Sequence, residues 1–387
     1  MSRFMRMQRM GVGWWIGMSL FVGLGFGGLA AAPAAADWQQ VGNAGFSAGG
    51  VFLTSLALDN GNTPYLAYSD QANGDKTSVM RFSESSWVQV GNAGFSAGQA
   101  WDPSLALDTW NTPYVAYQDR ANDYKASVMR FNGSYWVQVG SAGFSAGQAW
   151  YPRLALDTWN RPHVAYMDEA NDYKASVMRF DGINWVQVGS AGFTAEMAGS
   201  PRLALDSANM PYVAYSDYSK DLKASVMRWD TSDWVQVGNA GFTIGDAYEL
   251  SLALDSADRP YVAYSDYSNS YKASVMRFDG SAWVQVGSAG FSAGDAHDLS
   301  LALDSADTPY LAYRDKTHSD KASVMRFDGS AWVQVGSAGF TAGEAYSTSL
   351  ALDSANTPYL AYSDWANDYK ASVMKFVTPP SYLLWTK

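Results

Sequence analysis

Two arginines break the pattern of a chain that otherwise repeats itself. Arg153 and Arg202 stand where the other copies of the repeating unit carry Ser55, Ser104, Ser251, Ser300 and Ser349. A guanidinium offers a planar fork of donors that matches a carboxylate or phosphate bidentately. Tyr151, Asp102, Glu169 and Glu249 accompany the pair in the frame of the repeat. The chemistry suited to such a group is binding of an anionic ligand or a carboxylated sugar. The plainer alternative is two surface arginines that offset local acidity. Hydrolysis of a glycoside would need a pair of carboxylates about 5–10 Å apart, a separation that spacing along the chain does not reveal.

Aromatic residues form the second candidate group. One position of the repeat holds Phe52, Trp101, Trp150, Tyr248, His297 and Tyr346, with Gly199 as the exception. A second position holds Tyr124, Tyr173, Tyr271 and Tyr369, and Trp365 begins the same loop in the last copy. A ring can cover the apolar face of a pyranose while neighbouring Asp, Asn and Gln bond its hydroxyls. Against this stands packing, since rings in repeat proteins also wedge between sheets.

Other chemistry is thinly supplied. His163 replaces a Tyr found in every other copy, which suits a packed role, and His297 and His318 share one copy without a nucleophile at triad spacing. There is no Cys, which excludes disulfides and thiolate metal sites. No phosphate-binding glycine loop and no helical His pair occurs. No cofactor, metal or catalytic residue is therefore expected.

Charge narrows the partners. With Arg3, Arg6 and Arg9 set aside, 23 basic residues face 37 acidic ones, and such a body repels phosphate backbones. Nucleic acid is excluded as a partner. Residues 1–36 read as a secretory signal: the three arginines, an apolar stretch from Gly11 to Leu29, then Ala34, Ala35 and Ala36. An uncleaved membrane anchor is the alternative, since the apolar run approaches a spanning length; after cleavage no membrane insertion is expected, and the protein is placed as secreted, periplasmic or cell-surface.

What must hold these side chains is a unit repeated without linkers. Its Trp recurs at Trp38, Trp87, Trp136, Trp185, Trp234, Trp283 and Trp332, and its Leu-Ala-Leu-Asp motif ends at Asp59, Asp108, Asp157, Asp206, Asp255, Asp304 and Asp353. Each unit reads as four short strands; in the second they are Ser104 to Asp108, Pro113 to Asp119, Lys125 to Phe131, and Trp87 to Val90 of the preceding Trp run. Leu105-Ala106-Leu107 and Tyr114-Val115-Ala116-Tyr117 leave neither side polar, so each sheet must be covered on both faces. Radial stacking achieves that. The expected fold is all-β, a seven-bladed β-propeller over 37–376, with 377–387 as a tail; a linear solenoid is the runner-up. Trp38 to Gly42 should complete the last blade and clasp the ring, although Tyr382 to Trp385 in the tail could compete for that edge. Asp119 and Lys125, with their counterparts from Asp70/Lys76 to Asp364/Lys370, are expected to form cross-strand ion pairs. Arg81 through Arg326 are expected to be scaffold. The variable loops should gather on one face, with Trp110 and Trp159 on the other.

The Ser-Leu-Ala-Leu-Asp run, a turn, then Pro-Tyr-Val-Ala-Tyr resembles the inner strand pair of NHL-like bacterial propellers and of highly repetitive secreted ones, over 38–376. Seven-bladed propeller lectins are a looser resemblance, and no motif of theirs matches residue by residue. The resemblance implies the fold and, more weakly, a non-enzymatic, lectin-like protein that binds a glycan or a cell-surface protein. A cell-surface structural or protein-interaction scaffold, and a glycosidase-like hydrolase at the central opening, are the alternatives.

Overall fold

The computed structural model describes residues 36–378. The leader and nearly all of the tail lie outside them. Seven four-stranded antiparallel sheets form the blades of a propeller. The first blade begins at Val51, and the others at Ala100, Ala149, Ala198, Ala247, Ala296 and Ala345. In the second, the strands from the channel outward are Ala100–Leu107, Pro113–Asp119, Lys125–Phe131 and Trp136–Gln138. The Trp run is therefore the outermost strand of its own blade.

The two-sided apolar strands find cover between blades. One core cluster joins Tyr65, Ala67 and Val79 of the first blade to Leu105, Val115 and Trp136 of the second. Six further clusters bridge neighbouring blades in the same way. Trp136 stacks on Phe95 with ring centroids 4.0 Å apart, and its indole N–H donates to the Val90 carbonyl at 2.8 Å. Gly91 beneath it has φ +67, and a Cβ there would lie 2.9 Å from Phe131 and 3.0 Å from Trp136. Both the dihedral and the space demand glycine.

Ring closure follows the same design with a non-local strand. Asp37–Gln40 pairs antiparallel with Lys370–Val377, in the register Trp38↔Phe376. The seventh blade thus takes its outer strand from the start of the described chain, and the solenoid is ruled out.

Two expectations need correction. The innermost strands start earlier than read: the ladder begins at Ala100 and carries a bulge between Trp101 and Ser104. At that bulge Leu53, Asp102, Tyr151, Ser200, Glu249, Asp298 and Ser347 all have positive φ. The aromatic position consequently belongs to a strand, with the residue after it turned toward the central channel. The Asp–Lys ion pairs are also absent among the described residues. Asp119 does sit opposite Lys125 in register. Its buried carboxylate, however, accepts from the Ala121 N–H at 3.0 Å, Asn122 Nδ2 at 2.8 Å and Ser127 Oγ at 2.7 Å. It caps a 3-10 turn over Arg120–Asn122. Three local donors outcompete one lysine that gains more from water.

His163 is packed as expected, 3% exposed. Burial, opposed by Asp157, pushes its imidazole down to about 4. A base whose folded pKa lies below its unfolded 6.5 contributes fully above 6.5 and loses that contribution as pH falls toward 4. His163→Tyr, which restores the residue of the other blades, should remove an acid destabilisation on the order of 3 kcal/mol. Urea unfolding of both proteins at pH 7 and pH 4.5 would show it; parallel pH dependence would mean that His163 charges freely in the fold.

Candidate functional site

The loops that enter the innermost strands and the 3-10 turns share one face, as the bond from the Arg120 N–H to the Gln99 carbonyl at 3.1 Å requires. On this face the structure brings together several of the aromatic residues. Trp101 meets Tyr124 at 5.4 Å, Tyr248 meets Tyr271 at 5.9 Å, and Tyr346 meets Tyr369 at 5.9 Å. Tyr267 adds an edge contact to Tyr271. Phe52 and Trp101, 47% and 36% exposed, line a cleft of about 350 Å³ between the first two blades, with Leu53, Ser69, Asp75 and Ser347. Beneath Trp101 the side chain of Gln118 is buried, with no hydrogen-bond partner for either amide atom among the described residues.

Other residues of the set are placed differently. Trp150 is half-buried, and its indole N–H is buried without a partner among the described residues. Tyr173 and Trp365 are exposed, and Trp365 lies over Gly343. The Tyr248 hydroxyl donates to Asp246 at 2.9 Å, which pushes its pKa up to about 12, and Tyr346 does the same with Glu344. Where the repeat lacks a ring at Gly199, the exposed Tyr218 approaches the vacated space.

A second group surrounds the central channel on the same face. A pocket of about 270 Å³ is lined by Asp102, Arg153, Arg202, Glu249 and Asp298. Tyr151, exposed at its bulge, stands beside it. Glu169 does not join this group: it sits on a 3-10 turn and accepts from the Gln148 N–H at 3.2 Å. Both arginines are half-buried in the wall of this pocket. Burial and the neighbouring Arg153 push Arg202 down to about 9, and burial lowers Arg153 as well. Burial raises the carboxyl of Asp102 despite both arginines, and raises that of Asp298. His297 Nδ1 lies 3.1 Å from Glu249, whose hydrogen bond raises the imidazole's pKa against the effect of burial. Arg314 bonds Asp298 at 2.9 Å and Asp320 at 2.6 Å, and lies over the Tyr346 ring at 5.0 Å.

The opposite face holds a feature that the sequence reading passed over. Clefts recur between blades on the side of the tight turns. Tyr261, Arg277, Asp307 and Arg326 border one of about 490 Å³; Tyr65, Arg81, Trp110 and Arg130 border another of about 710 Å³. Arg277 lies over the Tyr261 ring at 5.8 Å, and its Nε, like that of Arg179, is buried without a partner among the described residues. The signal was present in the cross-strand register Tyr261↔Arg277, which repeats in five other blades as Tyr or His opposite Arg. Among the described residues no cluster of His, Asp and Glu could hold a metal ion, and no helix is long and apolar enough to cross a membrane.

No protein-family model matches the chain, and no curated protein matches it. Solved structures do. The chain is similar to the BP39L lectin from Burkholderia pseudomallei, at 14% identity and TM-score 0.59, over 83% of this chain and 94% of that one. It is similar to a PL25 ulvan lyase bound to -[GlcA(1-4)Rha3S]-, at 9% identity and TM-score 0.56, over 88% and 96% of the two chains. The likeness is one of fold. An uncharacterised protein from Dyadobacter fermentans aligns over 88% of this chain and 99% of its own, at 12% identity and TM-score 0.47.

Proposed function

We propose that this propeller is a non-enzymatic carbohydrate-binding protein of the cell exterior, and that it engages glycans through the aromatic face. The observation that carries this is the cleft of Phe52 and Trp101 with Asp75 at its side. Two half-exposed rings beside an acceptor match the two sides of a sugar. The paired rings of the second, fifth and seventh blades supply related positions on the same rigid body. Weak sites so arranged gain by avidity on a multivalent target. That solved propellers of similar fold include a lectin and a polysaccharide lyase supports a carbohydrate ligand without choosing between binding and cleavage.

A glycan array would test the proposal. Trp101→Ala should weaken whichever glycan binds by roughly tenfold or more, the scale of one lost aromatic contact of 1–2 kcal/mol, while the unfolding midpoint holds. Loss of stability equal to the loss of binding would assign the ring to packing. No glycan bound with the face intact would shift the reading to a protein-interaction scaffold.

A further inference from the structure

We propose that the mouth of the central channel binds the carboxylate of an acidic sugar, a hexuronate, between Arg153 and Arg202, with the sugar's hydroxyls donating to Asp102. The starting observation is a structural stitch that these two arginines remove. In five blades the serine at this position accepts a hydrogen bond from the leucine N–H of the next blade. Leu56 bonds Ser349, Leu105 bonds Ser55, Leu154 bonds Ser104 and Leu301 bonds Ser251 at 3.0 Å, and Leu350 bonds Ser300 at 2.9 Å. Arg153 and Arg202 leave Leu203 and Leu252 without that acceptor.

Nothing replaces the stitch at Arg153, whereas Arg202 Nε donates to the Leu250 carbonyl of the next blade and so ties those two blades in another way. Arg153 reaches only the carbonyl of its neighbour Pro152 at 3.2 Å, and Arg202 reaches the carbonyls of Pro201 and Leu250. Among the described residues neither forms an ion pair. Two like charges held close in an enclosed mouth are unfavourable until an anion joins them.

The neighbours define that anion. Glu249 is engaged by His297 and the Asp298 N–H, and Asp298 by Arg314. Asp102, 8% exposed, accepts no hydrogen bond among the described residues. Glu249 and Asp298 also line the mouth but are held by His297 and Arg314, so the groups least engaged are two guanidiniums and one carboxylate. They fit a ligand that combines one negative charge with hydroxyl donors. Asp102 opposes a dianion. The volume of about 270 Å³ suits a single sugar residue entering from the face. Leu53 and Ser347 border both this pocket and the aromatic cleft, but the groups that would hold the ligand here, Arg153, Arg202 and Asp102, are not those of the cleft.

Calorimetric titration of the whole protein with glucuronate, glucose and sodium sulfate at fixed ionic strength tests it. Arg153→Ser/Arg202→Ser gives these blades the residue of the other five and restores the acceptors for Leu203 and Leu252, so its unfolding midpoint should not fall. The expected result is glucuronate binding by the native protein that is at least about tenfold weaker in the double variant, with glucose and sulfate comparably weak. Asp102→Ala should weaken glucuronate and strengthen sulfate. Absence of glucuronate binding, binding undiminished in the double variant, or a lowered midpoint in that variant would overturn the proposal. Sulfate bound as tightly as glucuronate would overturn the assignment to a sugar. Failure here beside glycan binding that depends on Trp101 leaves the aromatic face standing; glucuronate binding without any dependence on Trp101 leaves the channel standing alone.

Discussion

Deletion of Asp37–Gly42 should destabilise the whole ring by more than about 5 kcal/mol, and Trp38→Ala alone by about 3–5 kcal/mol. Trp38 is 7% exposed and stacks on Phe340 with centroids 4.2 Å apart. Its indole N–H donates to the Val335 carbonyl at 2.9 Å. The deletion would also strip the ladder from Asp37↔Val377 to Gln40↔Met374, and the bond from the Val41 N–H to the Val373 carbonyl at 2.8 Å. Phe340 and Phe376 would lose their cover, and a sheet edge of the seventh blade would open to solvent. Every other blade draws its four strands from consecutive chain, so this junction alone depends on a partner from the far end. Urea unfolding followed by Trp fluorescence measures the effect. An unchanged midpoint would mean that another segment occupies the edge.

Asp119→Ala should cost about 3 kcal/mol or more, whereas Lys125→Ala should change stability by no more than about 0.5 kcal/mol. The two residues face each other across the hairpin, yet only the aspartate is held. Its three hydrogen bonds close the 3-10 turn, and Ser127, which donates to it at 2.7 Å, in turn accepts from the Gly143 N–H at 2.9 Å. Removing the carboxylate leaves the Asn122 amide and a buried hydroxyl without their acceptor, and loosens the link to the loop that leads into the third blade. Ion pairing would predict the opposite symmetry, with similar losses from either truncation. Chemical denaturation of both variants decides between them, and equal losses would restore the ion pair.

The contrast between these two positions explains where the sequence was informative. Seven copies of Trp and of Leu-Ala-Leu-Asp, with six of Pro-Tyr-Xaa-Ala-Tyr and one in which His163 replaces the first Tyr, specify strand length, order and two-sided burial, because those depend on side-chain type repeated at fixed spacing. The clasp was less firmly legible: a strand-type run beginning at Trp38 has no other blade to enter, but Tyr382 to Trp385 offered a second candidate for the same edge. Asp119 misled because charge and register suggest a lysine partner, while the donors that win lie two, three and eight residues onward in a backbone conformation that composition does not announce.

Function divides along the same line. The residues at which the copies disagree, among them Trp101, Arg153 and Arg202, can be picked out by comparing one repeat with the next. Their surroundings cannot. Trp101 gains Phe52 and Asp75 from another blade, Asp102 accepts no hydrogen bond among the described residues, and the arginines of the opposite face line clefts, all because the ring sets side chains a full repeat apart against one another. A repeating sequence determines the wall that each unit builds. Closure of the ring sets which unlike residues of different units meet, since those distances arise only when the sheets stack about a common axis.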